Sequence, residues 1–228
     1  MRLATLLFFL PHLALALIRV PEDYPGIQAA MDASADDDTV LVDRGTWPGL
    51  LQSPIHSILL CSNYVISGDS TDIVETVLDG EYAGTILTVN TMGDEILTVT
   101  GFTMRRGFSR YPGGAFSSTG GAVRLVGSAN ACFTDIVFAD NRGERASSIL
   151  DMDNDGAAEG IGDLTLRRVH CVNNWVDVPQ TNWSDAFVIR SRLGRLIVDG
   201  FRYDGGGLNM FVPDYVADSA IRKTLSGR

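Results

Sequence analysis

Two stretches of this chain carry side chains whose types and spacing could do chemistry. The run Asp151-Met152-Asp153-Asn154-Asp155-Gly156 sets carboxylate oxygens at alternate positions and follows them with a glycine. That is how a calcium loop opens, because alternate oxygens converge on the ion once the glycine turns the chain sharply. A complete loop of this kind has Glu at its twelfth position; here that position is Gly162, with Glu159 and Asp163 nearest to it. Asp151, Asp153 and Asp155 are therefore candidate Ca2+ ligands, in a loop after a strand ending at Leu150, with a solvated acidic turn as the alternative. The second group is Arg105, Arg106, Arg110 and Tyr111, together with Trp175, Asp177 and Trp183, beside which stand Asn182 and Asp185. Aromatic rings present apolar faces to sugar rings, while guanidinium and carboxylate groups fix hydroxyls or uronate charges. Arg105, Arg106, Arg110, Tyr111, Trp175, Asp177 and Trp183 are the candidate carbohydrate-binding residues. The alternative is that the tryptophans pack over a wall and the arginines pair with the acidic surplus.

The elements that position these residues repeat. Residues 97–107, LTVTGFTMRRG, are echoed by ACFTDIVFADN from Ala131, LTLRRVHCVNN from Leu164 and LIVDGFRYDGG from Leu196, so successive starts lie 34, 33 and 32 residues apart. Apolar residues hold the first, third, sixth and eighth places of the phrase. Alternation of period two on either side of a break predicts two short strands, with a bend at places four and five that keeps both apolar sets on one side. A third strand precedes each phrase, at 86–89, 122–125, 147–150 and 186–189. One such coil cannot bury its apolar side alone, but coils stacked about 4.8 Å apart can. Three short strands per repeat with Gly, Asn and Asp between them describe a parallel β-solenoid.

GFTMRRG with the later GGAF and GGAV, then DIVFADN, resembles the recurrent strand, bend and turn pattern of the right-handed parallel β-helix family, the pectin-lyase-like fold. The opening IRVPEDYPGIQAAMDASADDDTVLVDRGTW is similar to that family's first helix and strand. The resemblance covers residues 19–211 and implies an all-β fold, a right-handed single-stranded parallel β-helix with a short N-terminal capping helix. It implies little about activity, since one scaffold hosts many functions. The family's catalytic patterns are not met: no Q-A-V-A-L, D-F-I-F-G or G-H-G stretch occurs, Trp175-Val176-Asp177-Val178 has valine where a pectate lyase has histidine, and Arg110-Tyr111-Pro112 is not followed by the second arginine, Ala115 standing in its place.

In chain order, residues 1–16 read as a secretory signal peptide: Arg2 supplies the charge, 3–15 the apolar stretch, and Ala14-Leu15-Ala16 the small-residue cleavage site. The apolar run is too short to span a bilayer and is interrupted by Pro11 and His12. Residues 17–38 form a capping segment with a helix at 27–33, and 39–211 the β-helix. Within the latter, 39–42, 58–61 and 64–67 are expected as strands and 43–47 and 77–80 as turns. Residues 212–228 are a cap or tail, with helical spacing over 216–225.

The charge balance narrows the partners. Asp plus Glu number 28 against 18 Lys plus Arg, a net charge of −10, which opposes binding to nucleic acid or to anionic lipid. Of the three cysteines, Cys171 falls on an inward place, Cys132 on an outward one and Cys61 at a bend, so no pairing is expected. His170 falls on an outward place.

Two readings follow. The first is a secreted or cell-surface β-helix, periplasmic or surface-bound in a bacterium, that is a non-catalytic glycan-binding or structural module. The second is a carbohydrate-active enzyme, a polysaccharide lyase or glycoside hydrolase, acting in a groove along the solenoid. In both the expected partner is a polysaccharide or other glycan, with no nucleic acid and no membrane span, and Ca2+ is the one candidate cofactor.

Overall fold

The computed structural model describes residues 15–110, 120–144, 148–153, 162–177, 187–189, 193–204, 210–211 and 218–222; at 151–153, 187–189, 193–194, 210–211 and 218–222 the description is of the backbone. The described residues are predominantly β, with few and short helices, and every strand pairing is parallel. The first sheet has eight strands, Leu17–Val20, Asp38–Val42, Ile58–Ser62, Ile96–Thr100, Asn130–Thr134, Gly162–Arg167, Leu193–Asp199 and Asp218–Arg222, neighbours in the sheet in the same order as in the chain. A second, six-stranded sheet holds Gly45–Pro48, Thr76–Asp79, Thr103–Arg105, Val137–Ala139, His170–Val172 and Arg202–Asp204. A third, also of six, holds Leu51–Gln52, Leu87–Val89, Val123–Val126, Leu150–Asp153, Phe187–Ile189 and Met210–Phe211. Successive strands of the chain thus pass from sheet to sheet, and six successive returns each add one strand to all three sheets, the first sheet carrying one more at either end.

The phrase read from the sequence sets the register. Leu97 pairs with Ala131, Ala131 with Leu164, and Leu164 with Leu196; Thr103, Val137, His170 and Arg202 align in the second sheet. Places one, three, six and eight form four stacked columns, and all are buried. Place three stacks Val99, Phe133, Leu166 and Val198, and place six Phe102, Ile136, Val169 and Phe201. Each fully buried Leu, Val or Phe contributes roughly 1.5–3 kcal/mol of transfer free energy, which offsets the chain entropy lost in ordering the rung.

The bends are equally regular. Place five is left-handed in all four copies, Gly101, Asp135, Arg168 and Gly200 having φ of 83, 54, 49 and 64°. Place ten is left-handed at Arg106, Asp140 and Asn173, with φ of 54, 52 and 52°. One residue at positive φ turns the chain without leaving the ladder: the place-five N–H of Gly101, Asp135 and Arg168 still donates to the carbonyl of Thr134, Arg167 and Asp199 in the next rung. The left-handed cost at the non-glycine positions, about 1–2 kcal/mol each, is shared with ion pairs, for Arg168 donates from Nε and Nη2 to both Asp135 oxygens at 2.6 and 2.7 Å.

Several expectations are corrected. The helix Ile27–Ala33 forms as read and buries Ile27, Ala30 and Met31 against the first rung, but a strand, Leu17–Val20, precedes it and pairs with Asp38–Val42. Residues 64–67 are helical, not extended. Tyr64–Ser67 and Ser70–Glu75 are two short helices inserted at a bend, and Arg44 clasps the insert by hydrogen bonds to Asp72, Glu75 and Asp69 at 2.5, 2.9 and 3.3 Å. The expected turns at 43–47 and 77–80 contain strands Gly45–Pro48 and Thr76–Asp79. The third strand expected at 147–150 is displaced to Leu150–Asp153, pairing Leu150 with Val123. The expected C-terminal helix is instead a strand at Asp218–Arg222, which aligns with residues 195–199 because the preceding strand offers a row of unpaired amides and carbonyls as a template.

Candidate functional site

A fourth, three-stranded sheet lies just beyond the phrase, at places twelve and thirteen: Phe108–Ser109, Arg142–Gly143 and Trp175–Val176. Ser109 and Gly143 are buried, whereas Phe108, Arg142 and Trp175 form one register column that is half-buried to exposed. The guanidinium of Arg142 stands over the Phe108 ring, 5.3 Å from its centroid. Its Nε lies 2.8 Å from both oxygens of Asp177, and Nη2 reaches Oδ2 at 2.5 Å. The Trp175 indole N–H donates to Asp177 Oδ1 at 3.2 Å. The polar tip of Trp175 is thereby fixed, and its ring, in a residue 41% exposed, faces outward. The Tyr82 ring meets it with centroids 6.2 Å apart and planes tilted by 60°, within the range of favourable aromatic pairs. Hydrogen bonds from Arg142, the largest influence, hold the Asp177 carboxyl below the usual carboxylate range.

Tyr82 reaches this position because of a buried carboxylate. Asp79 accepts hydrogen bonds from Arg105 Nε at 2.8 Å, Arg106 Nε and Nη2 at 2.7 and 2.5 Å, and the Glu81 N–H at 3.0 Å. Burial alone would raise its pKa, but the Arg106, Glu81 and Arg105 hydrogen bonds outweigh burial and lower it. The turn that follows carries Glu81 and Tyr82 at φ of 49 and 57°, and the Tyr82 N–H donates to the Arg106 carbonyl at 2.6 Å. Asp79 thus shapes the arm that delivers Tyr82 to Trp175.

The candidates read from the sequence fall in different places. Trp175 and Asp177 come together as above. Arg105 and Arg106 do not join them; both are committed to Asp79, the pairing with the acidic surplus that the sequence left open. Arg110 is exposed and follows Phe108–Ser109 directly. Tyr111 and Trp183 lie outside the described residues. Asp151 and Asp153 belong to the strand Leu150–Asp153, paired on both sides and not in a loop beyond Leu150, and Asp155 lies outside the described residues. Among the described residues no group of three or more His, Cys, Asp or Glu is arranged to hold a metal ion. His170 faces outward as expected, with Nε2 2.8 Å from Asp204 Oδ2, and Arg202 Nη2 meets the same oxygen at 2.8 Å. No helix among the described residues is long and apolar enough to cross a membrane.

Sequence reasoning missed Tyr82, Phe108 and Arg142. The last had a signal: extending the phrase by one place aligns Phe108, Arg142 and Trp175 in successive copies. Comparison with family models, curated proteins and solved structures finds no match to this chain.

Proposed function

We propose that this chain is a right-handed parallel β-helix of the pectin-lyase-like kind, exported, and that it binds a glycan on the face built by Tyr82, Phe108, Arg142, Trp175 and Asp177. The β-helix reading is supported by parallel sheets whose strand order follows the chain and by the register of the repeated phrase. Export is supported by residues 1–16 alone. The single observation that carries the binding reading is the outward Trp175 ring, held at its N–H by Asp177 and set against Tyr82. An indole left half in water forgoes burial, and three successive interactions, Phe108 with Arg142, Arg142 with Asp177 and Asp177 with Trp175, keep it there. Flat apolar faces edged by hydrogen-bonding groups suit the alternating C–H and O–H surfaces of a sugar ring.

The test is retardation of the full chain in gels containing soluble polysaccharides, alongside Trp175→Ala. Retardation of the parent on at least one polysaccharide, lost in the variant with its circular dichroism unchanged, is the expected result. No retardation on any polysaccharide would overturn the reading. Assay of the same mixtures for reducing or unsaturated ends, with calcium and with chelator, separates binding from turnover, and the expected result is no product.

A further inference from the structure

The charges around Trp175 carry a narrower statement, which rests on the glycan-binding reading above: we infer that the ligand of the Tyr82–Trp175 face is an uncharged oligosaccharide and not a uronate or sulfated one. An anionic sugar needs a cation that is not already neutralised, or the site must desolvate its carboxylate without compensation. The three guanidinium groups built into this region are compensated. Arg142 is engaged by Asp177 through Nε and Nη2, and Arg105 and Arg106 converge on the carboxylate of Asp79, with the charge of Glu81 also acting on Arg106. Arg110, two residues beyond Phe108, sits at the place that the next two repeats fill with Glu144 and Asp177. The whole chain carries a net charge of −10, which disfavours the approach of a polyanion.

What the face does present is apolar ring surface and acceptors. The Tyr82 ring and the Trp175 ring meet at 60° and form a corner. Beside it Asp177, ionised at neutral pH, has more lone pairs than its contacts with Arg142 and Trp175 use. A neutral pyranose supplies C–H faces to the rings and hydroxyl donors to that carboxylate, whereas a uronate carboxylate brings only further acceptors to a face whose cations are already engaged.

The test uses the full chain and isothermal titration with cellohexaose, xylohexaose and mannohexaose on one side and hexagalacturonate on the other, at 20 mM and 300 mM salt, on the parent, Trp175→Ala and Tyr82→Ala. At least one neutral hexamer should bind with an affinity that salt does not change, hexagalacturonate should bind at least tenfold more weakly, and either variant should weaken the neutral hexamer about tenfold. Tighter binding of hexagalacturonate, or affinity that falls steeply with salt, would overturn the uncharged assignment and leave glycan binding standing. A neutral hexamer that binds folded Trp175→Ala as well as the parent would overturn the site. Binding of none of the four would overturn both this inference and the reading on which it rests.

Discussion

Asn141 and Asn174, one rung apart and both buried, are joined by a side-chain hydrogen bond, the Asn141 Nδ2 donating to Asn174 Oδ1 at 2.9 Å. Each also closes the bend of its neighbour. Asn141 Oδ1 accepts from the Gly107 N–H at 2.8 Å while its Nδ2 reaches the Met104 carbonyl at 3.1 Å, and Asn174 Nδ2 donates to the carbonyls of Phe138 and Val172 at 2.9 and 3.1 Å. Replacement of Asn141 by Ala strands buried backbone groups that each cost about 1–3 kcal/mol. We expect Asn141→Ala to lower the urea midpoint by an amount equivalent to about 3 kcal/mol, with an unchanged slope. A loss comparable to that of an exposed-site substitution would contradict it.

Thr76 presents the opposite case. It fills the place-six slot of its rung, beside the column of Phe102 and Ile136, and its buried Oγ1 has no hydrogen-bond partner among the described residues. Thr76→Val keeps the shape and removes the hydroxyl, so it should stabilise the fold by about 1 kcal/mol. A calorimetric midpoint below that of the parent would show the hydroxyl to be satisfied.

The Asp79 knot ties stability to pH. Its carboxyl is lower in the folded chain than its ordinary value, so its contribution is full above about pH 4, the unfolded pKa, and is lost as pH falls through the lower folded value. Asp79→Asn should cost about 2 kcal/mol at neutral pH and progressively less in acid. Parallel denaturation curves from pH 7 to pH 2 for the two proteins would show the gap closing; a gap constant over that range would refute the assignment.

Gly101 is a position where glycine is required twice over. Its φ of 83° is left-handed, and an added methyl would collide with the Ser62 hydroxyl and crowd Tyr64. Gly101→Ala should destabilise by about 2 kcal/mol or more, the backbone cost plus the displacement of Ser62. Asp135, in the same place one rung on, already tolerates a side chain. Equal stability of Gly101→Ala and the parent would mean that this bend is not held at positive φ.

The three thiols should separate by reactivity. Burial pushes Cys61 up to about 12 and raises Cys171 as well, whereas Cys132 is half-buried, its sulfur 3.6 Å from the Thr134 hydroxyl. At pH 8 a disulfide reagent should label one thiol rapidly in the native protein and all three after unfolding, because the thiolate is the reactive species. Cys132→Ser should abolish the fast phase.

The walls of this fold were legible because burial writes itself as alternation: places one, three, six and eight are apolar in every copy, and the structure buries all of them. Alternation fails where two adjacent residues are both interior. Ile149 and Leu150 are both buried, so the pattern could not fix whether that strand ends or begins at Leu150. It also fails where apolar residues are exposed. Tyr64-Val65-Ile66 reads as a strand, yet Val65 and Ile66 face outward on a short helix that ends at left-handed Gly68. The site was half legible. Trp175 and Asp177 are chemically conspicuous, but Tyr82 arrives from a turn shaped by Asp79, and nothing local in the sequence announces which distant ring a turn will deliver.

The helical insert has a wider meaning for the fold. Before it, Ile58 still pairs with Leu97; after it, Leu78 still pairs with Met104. Between those points the chain makes a detour through Tyr64–Ser67 and Ser70–Glu75, where other rungs turn in two residues, and the rungs on either side do not lose step. The corner therefore works as a splice point, where extra chain is taken in without a shift in the register of the walls. A foreign segment grafted at this corner in place of Tyr64–Ser67 and Ser70–Glu75 would inherit a rigid frame and a fixed spacing, with the ladders on either side still in step.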